Sequence, residues 1–321
     1  MTKKSTLAEL KNALGSHTAN MERISNDFTN RITTNSEPEI IYHYTDDKGL
    51  KGILETGKLW FTDMLNLNDP SELDHGITQA LNILNRETKT TSQITKVLRS
   101  VLTKILTGNL SISTNWLVCC FSKTNDDLGQ WRAYADDGRG YAIGFETKSL
   151  KKAFAESQNH IPHSMFSVSY DDSEICALHE KLVRETISFI EQLEENQIHE
   201  KDIVDFITEV AISFITSCVT VSLYFKHEAY RNEQEYRLLQ LNPADAVLPD
   251  LKFRTRPYSL VKYREFDWKS SAKQSLKSII CGPANESARA NKFAQDCLRE
   301  YVPDHKAEVT QSLIPYRSVR Y

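Results

Sequence analysis

The sequence lacks the short motifs that mark several common catalytic folds. No G-x-x-x-x-G-K-[ST], G-x-G-x-x-G, G-x-S-x-G or H-E-x-x-H segment occurs in its 321 residues. These patterns supply the phosphate-binding turn, the dinucleotide-binding turn, the turn of a nucleophilic serine and the zinc-binding histidine pair. The phosphate-loop, Rossmann, hydrolase-elbow and zincin classes therefore lack their defining residues.

Cysteine motifs and long apolar runs are missing as well. The six cysteines form no C-x-x-C pair, which favours reduced, mostly buried thiols in a cytoplasmic protein. No apolar segment follows the N-terminal lysines, so we predict no signal peptide. The most apolar run, residues 211–225, has 15 uncharged residues with several hydroxyl groups. It is shorter than a membrane span requires, and we expect a core helix and no membrane partner.

What is present is typical of a globular protein. Hydrophobic residues make up 40% of the chain and charged residues 26%, as in soluble domains. The formal net charge of −4 gives no global attraction to nucleic acid or to an anionic membrane, although it is compatible with a local basic groove.

Predicted strands and helices follow one another without a regular βα period, which predicts an α+β fold. Residues 1–36 are expected to be an N-terminal helical extension that packs on the main body, binds a partner or self-associates. Residues 37–321 are expected to be one domain with a helical insertion at about 172–227. The apolar run 116–122, WLVCCFS, is predicted to be a central strand.

The stretch 226–240, KHEAYRNEQEYRLLQ, concentrates charge where a strand is predicted to begin. Alternate side chains of an extended chain share a face, so Glu233, Glu235 and Arg237 are predicted to project together. Such an ionic row is a solvated edge, a structural salt bridge or a site.

His43 lies in the predicted strand 39–45, EIIYHYT, ahead of a helix capped by Asp46 and ended by Gly57. A lone strand histidine is more often a satisfied core or surface residue than a ligand-binding group. The order of parts is more informative: a strand with His and Tyr, a short helix, a glycine, a strand, and much later a strand opening with Glu-x-Glu. This order resembles the ADP-ribosyltransferase fold, in which the first strand carries a histidine that binds the ribose of NAD.

The full motif set also resembles a bacterial family catalogued as domain of unknown function 2971. The motifs occur in the family's order and span about residues 40–317. They are YHYT (42–45), LNDPSE (67–72), CFS (120–122), QWRAYADDGRGYAIGF (130–145), NEQEYRLL (232–239), IICGP (279–283) and SLIPYR (312–317).

The resemblance to ADP-ribosyltransferases implies roles for these residues. Glu235 would be the catalytic carboxylate, and Glu233 would orient the acceptor or support Glu235. Cleavage of the nicotinamide–ribose bond passes through an oxocarbenium-like state that a nearby carboxylate stabilises. His43 would bond a ribose hydroxyl of the adenosine half, while the backbone of Tyr44 and Thr45 would hold the nicotinamide amide.

Other residues would complete an NAD site. The nicotinamide ring needs an aromatic face, which Tyr44, Trp131 or Tyr134 could offer. Arg132 or Arg237 could neutralise the pyrophosphate, because a guanidinium matches it bidentately. Both arginines are equally well explained as partners of neighbouring carboxylates.

We therefore expect an NAD-dependent ADP-ribosyltransferase-like enzyme of the bacterial cytoplasm that modifies a protein or nucleic acid, or hydrolyses NAD, as a toxin or phage-defence effector. One alternative is a non-catalytic nucleotide- or protein-binding module on the same fold. Another is a Mg²⁺-dependent nuclease whose ligands would be Asp69, Glu72, Glu233 and Glu235. Apart from this nuclease alternative, we expect no bound metal. The NDPSE segment is also explained as an N-terminal helix cap followed by an acidic residue in the first turn.

Overall fold

The computed structural model describes residues 7–34, 37–67, 71–87, 93–107, 115–158, 161–192, 200–242, 247–248 and 250–318. The helices are α1 (Leu7–Thr34), α2 (Asp47–Thr56), α3 (Ser71–Glu87), α4 (Gln93–Leu106), α5 (Leu128–Tyr134), α6 (Thr147–Ser157), α7 (Asp172–Gln192), α8 (Glu200–Ser222), α9 (Trp268–Ala272) and α10 (Ser287–Tyr301). The strands are β1 (Ile40–Thr45), β2 (Lys58–Asp63), β3 (Asn115–Ser122), β4 (Tyr141–Glu146), β5 (His163–Ser167), β6 (Glu235–Asn242), β7 (Lys252–Arg256), β8 (Ser259–Asp267), β9 (Leu276–Cys281) and β10 (Glu308–Gln311).

The chain divides into two compact units. The first comprises Met1–Thr34, Asp69–Ser113 and Ser169–Glu228, and the second comprises Asn35–Asn68, Thr114–Val168 and Ala229–Tyr321. The first is helical and the second contains the sheet, so the predicted α+β class is confirmed.

The helical unit packs α1 and α3 against α7 and α8, with α4 against α8. Helix α1 continues through Gly15, although glycine is unfavourable in the interior of a helix. The apolar helix α8 buries Ile207, Val210, Phe214 and further side chains on its inner face. Among the described helices, its window Asp205–Ser222 is long and apolar enough to cross a membrane, but 56% of that window is buried inside the structure. A core helix meets the same criterion, so this is weak evidence for a span.

In the described residues, the second unit contains ten strands in one mixed sheet, in which β9 and β10 are parallel and the other strand pairs are antiparallel. Strand β3 pairs with β6 from Asn115 to Ser122. It also pairs with β2 at Leu117 and Val118 and with β1 at Ser122. The prediction that WLVCCFS forms a central strand is therefore confirmed.

The first strand and helix follow the capping pattern of the sequence. The Asp46 carboxylate accepts a hydrogen bond from the Gly49 amide, and Gly57 ends α2 at φ 68°. Both ends thereby satisfy backbone groups that a helix leaves unpaired.

The sheet buries different residues on its two faces. One face carries the main core, including Ile41, Phe121, Phe145 and Tyr236, covered by side chains such as Trp268. The other carries a smaller cluster of Tyr44, Trp131, Ala135, Ala142 and Ile280. Side-chain alternation along β1 therefore assigns residues 41, 43 and 45 to the main-core face and residues 42 and 44 to the opposite face.

The burial of His17 in α1 is expected to make the stability of the helical unit depend on pH. Its side chain is buried and stacks on Phe189, and neither ring nitrogen has a partner among the described residues. Burial lowers the pKa of His17, although Glu185 opposes this shift. As the pH falls, His17 is therefore protonated in the unfolded chain before it is protonated in the folded one. The folded state loses stability as the pH falls below about 6.5, the ordinary pKa of histidine. We expect His17→Phe to lose less stability than the wild type when urea unfolding is compared at about pH 7.5 and pH 5.5.

The matched control is His227→Gln, because His227 is exposed in the same unit. It should keep the wild-type difference between the two pH values. A His17→Phe protein as acid-sensitive as the wild type would contradict the assignment.

Candidate functional site

The charged stretch 226–240 bends at Gln234. Residues Glu228–Glu233 form a 3₁₀ helix, and Gln234 follows at φ 43° before β6 begins at Glu235. The Gln234 carbonyl accepts a hydrogen bond from the Lys123 amide, which holds this bend beside the end of β3. The prediction that Glu233 shares a strand face with Glu235 and Arg237 is therefore wrong, because the strand starts two residues later.

Glu235 and Arg237 form a buried ion pair on one face of β6. The Arg237 Nε and Nη2 donate to the two carboxylate oxygens of Glu235 over 2.7 and 3.1 Å. The Arg237 side chain has no exposed surface and that of Glu235 is 6% exposed. A bidentate guanidinium fixes the plane of the carboxylate as well as its position.

Two residues of β3 lie beside this pair. Ser122 and Cys120 are the register partners of Glu235 and Arg237. Burial, together with the Glu235 carboxylate, raises the pKa of the Cys120 thiol well above its ordinary value. The thiol therefore stays protonated and is not a nucleophile. The Ser122 hydroxyl donates to the Glu233 carbonyl over 2.7 Å and so ties the bend to β3.

Glu233 and Tyr134 form the accessible rim of the site. The Tyr134 hydroxyl donates to the Glu233 carboxylate over 2.8 Å. Tyr134 is 37% exposed, and Glu233 is half-buried. Tyr134 of α5 and Glu233 of the 3₁₀ helix, an aromatic and an acidic residue that were both predicted for the site, are thus adjacent.

Trp131 of α5 packs against Tyr44 of β1. Their rings meet edge to face at 4.8 Å, and the Trp131 Nε1 donates to Asp126 over 2.7 Å. The Tyr44 hydroxyl donates to the Thr124 carbonyl, and burial raises its pKa. Trp131 has no exposed surface, so its ring offers no open stacking face in this arrangement.

His43 lies on the other face of the sheet from Glu235. Its ring contacts Phe121 in the main core, and its Nδ1 is 3.1 Å from the Cys120 carbonyl oxygen. Burial lowers the pKa of His43, which favours the neutral ring. Thr45 shares this face by alternation. The structure therefore brings Tyr44, Tyr134, Glu233, Glu235 and Arg237 together and does not bring the His43 side chain to them.

The segment 136–140, DDGRG, closes the same end of the sheet. Asp136, Asp137 and Gly138 all have left-handed φ values, of 48°, 54° and 85°. The buried Asp137 accepts hydrogen bonds from the hydroxyls of Tyr316 and Ser318. Arg132 lies 3.7 Å from Asp137 with its side chain 63% exposed, which leaves its guanidinium accessible to solvent.

Asp126 is a second anchor that sequence reasoning missed. Its carboxylate accepts from Ser312 Oγ, from the Leu313 amide and from Trp131. Together Asp126 and Asp137 bind the SLIPYR segment to the loops that flank α5. The signal in the sequence is the polar turn KTNDD before α5, in which the half-buried Asp126 accepts hydrogen bonds from a segment much later in the chain.

The described residues contain no cluster of metal ligands that would support the magnesium-dependent nuclease. Within the described ranges, no group of three His, Cys, Asp or Glu residues could hold a metal ion. Asp69 lies outside the described residues, and the position of the Glu72 side chain is likewise undescribed. The magnesium-dependent nuclease therefore stays a prediction.

The buried ion pair predicts a stability difference between two arginines. Arg237→Met would leave the Glu235 carboxylate buried without its guanidinium, which costs about 3–5 kcal/mol in comparable pairs. Arg139→Met removes a half-exposed pair with Asp136 and should cost roughly 0–1 kcal/mol. Urea unfolding of the two variants measures this difference. Equal losses would show that Glu235 does not depend on Arg237.

Comparison with known proteins adds one finding. No curated protein and no solved structure matches the chain. One family model matches residues 130–238, about a third of the sequence, from α5 to β6. This segment contains Trp131, Tyr134, Glu233, Glu235 and Arg237. Over these residues the chain is similar to the family described as Protein of unknown function (DUF2971).

Proposed function

We propose that this protein binds NAD beside Tyr134 and Glu233 and cleaves its nicotinamide–ribose bond, transferring ADP-ribose to a macromolecule or to water. The observation that carries the proposal is the Glu235 carboxylate, which Arg237 fixes at the start of β6, two residues after the accessible Glu233 that pairs with Tyr134. The order of motifs that resembles ADP-ribosyltransferases supports it, as does the α+β architecture.

The chemistry uses the charge that develops during cleavage. When the bond to nicotinamide breaks, its electron pair leaves with the ring, which departs as neutral nicotinamide. The ribose carbon becomes oxocarbenium-like, and a preorganised carboxylate stabilises this positive charge. A hydroxyl of the acceptor or of water then attacks that carbon and loses its proton. We assign the half-buried Glu233 as the group that accepts this proton.

The other residues bind rather than react. Tyr134 is exposed and offers an aromatic face to the nicotinamide ring. Tyr44 and Trp131 hold α5 and hence Tyr134 in place. Arg132, exposed at the end of the same helix, is suited to the pyrophosphate. Arg237 is committed to Glu235, so we assign it to positioning the carboxylate.

His43 departs from the role that the resemblance implies. Because its ring packs on Phe121 and its Nδ1 lies against the Cys120 carbonyl, we assign it to holding β1 against β3. The backbone of Tyr44 and Thr45 remains the proposed contact for the nicotinamide amide. We further propose that the protein acts in the bacterial cytoplasm as a toxin or phage-defence effector, on the strength of the motif resemblance.

A non-catalytic binding module is the second candidate. The observation that favours it is the completeness of the ion pair, since both oxygens of Glu235 accept from Arg237. A carboxylate oxygen has further acceptor capacity, so occupancy by Arg237 does not prevent a ribose hydroxyl from binding. A module of this kind would bind a nucleotide at the rim and leave it intact.

Nicotinamide release from NAD by the purified protein separates the two candidates. We expect release that Glu235→Gln lowers by about 10²–10³-fold, the size of effect seen when one preorganised electrostatic group is removed. The assay is run with water as the only acceptor and again with cell lysate, because transfer requires an acceptor that hydrolysis does not.

The matched control is Glu146→Gln, because Glu146 ends β4 and pairs with Lys277 away from the rim. It should release nicotinamide at the wild-type rate. Binding of NAD without release under either condition would establish the binding module, and absence of both binding and release would contradict an NAD site.

A further inference from the structure

A strongly basic hairpin lies in the sheet unit, away from the rim residues described above. Residues 252–264, KFRTRPYSLVKYR, contain five Lys or Arg residues and no Asp or Glu, within a chain of net charge −4. They form β7, a turn and β8. The overall composition conceals this local concentration of positive charge.

The cations of β7 form a row at the edge of the sheet. Strand β7 is the last in the strand order after β2 and β8. Lys252, Arg254 and Arg256 alternate along it and so share one face. Successive members of the row are about 7 Å apart, because a strand rises about 3.4 Å per residue.

An aromatic surface lies on the same face. Lys252 pairs with Tyr263, and the next position of β8 on that face, Glu265, pairs with Trp60. The Trp60 and Tyr263 rings are 4.5 Å apart, and the Arg254 guanidinium lies 5.5 Å from the Trp60 ring centre. Trp60 is 44% exposed, so a flat ligand can reach it.

The charges of the row are only partly neutralised. Lys252 pairs with Glu265 at 2.8 Å. Arg254 donates to the Thr62 hydroxyl and Arg256 to the Asn66 carbonyl. Neither arginine has a carboxylate within 4 Å in the described part of the chain, whereas Lys262 and Arg264 of β8 pair with Asp63 and Asp250. Neutral oxygen atoms therefore hold the side chains of Arg254 and Arg256 in place, and these bonds leave their positive charge unbalanced.

The turn adds a second exposed aromatic residue. Tyr258 stands at φ 61° between the strands and is fully exposed. Phe253 and Leu260 are also exposed on this hairpin. Exposed aromatic side chains lower the solubility of a protein. Next to a row of arginines they are typical of a binding surface.

We propose that this basic hairpin, together with Trp60, binds single-stranded nucleic acid. Phosphates lie along Lys252, Arg254 and Arg256, and bases stack on Trp60 and Tyr258. A positively charged strand with aromatic platforms is the arrangement by which proteins hold single strands without reading their sequence. An acidic peptide would satisfy the arginines but would leave the aromatic rings without a stacking partner. This surface does not depend on the proposed NAD chemistry.

Fluorescence anisotropy with labelled oligomers of about twelve nucleotides tests the proposal. Both dT and rU oligomers are used, at about 50 mM salt and upwards. We expect binding that weakens with salt, and Arg254→Gln/Arg256→Gln should lower the slope of log Kd against log salt by roughly 1.4, or about 0.7 for each phosphate contact in single strands. Trp60→Leu should weaken binding roughly tenfold at every salt concentration.

The matched control is Lys292→Gln/Arg299→Gln on α10, which removes the same charge from side chains that are 74% and 75% exposed. It should bind like the wild type. Equal losses in both double variants, an unchanged hairpin variant, or no binding of either oligomer would overturn the proposal. So would equal affinity for a polyglutamate peptide of the same length. Photocrosslinking of a 4-thiouridine oligomer to the wild type should label Trp60 or Tyr258, and labelling confined to other residues would also overturn it.

Discussion

The buried ion pair of Glu235 and Arg237 is the interaction on which the site depends. Desolvating both charges is costly unless they meet in good geometry, and β6 provides that geometry by keeping Glu235 and Arg237 on one face. The chain ahead of β6 turns at Gln234 with a left-handed backbone. That turn carries Glu233 out of the strand to Tyr134. The ion pair thus fixes one carboxylate, and the bend leaves a second, accessible carboxylate two residues earlier in the chain.

The opposite end of the site is constrained by backbone contact. An added Cβ at Gly140 would lie 2.1 Å from the Thr45 carbonyl oxygen, and one at Gly282 would lie 2.3 Å from that of Gly138. The glycines therefore let β1, the DDGRG segment and the IICGP segment meet at main-chain distance. The half-buried Asp126 and the buried Asp137 then bind the C-terminal segment across them. These motifs are far apart in sequence, and their common role is to position α5 with its Tyr134.

Local signals predicted much of this fold. The Asp46 cap, the Gly57 stop and the apolar β3 follow from rules that act within a few residues. The alternation rule failed at Glu233, because Gln234 has a left-handed backbone and the bend is bonded to Ser122 and Lys123, which are distant in sequence. The face of His43 could not be predicted either, since it follows from the register of β1 against β3. Strand β7 was missed because an exposed edge strand carries no apolar pattern.

A crystal structure with NAD bound, or with an analogue that cannot be cleaved, would show whether NAD binds at the rim, because it locates the ligand independently of turnover. We expect a ribose hydroxyl within hydrogen-bond distance of the Glu233 or Glu235 carboxylate, about 2.6–3.2 Å, with the nicotinamide against Tyr134. Ligand bound on the His43 face of the sheet, or no ligand at the rim under saturating conditions, would contradict it.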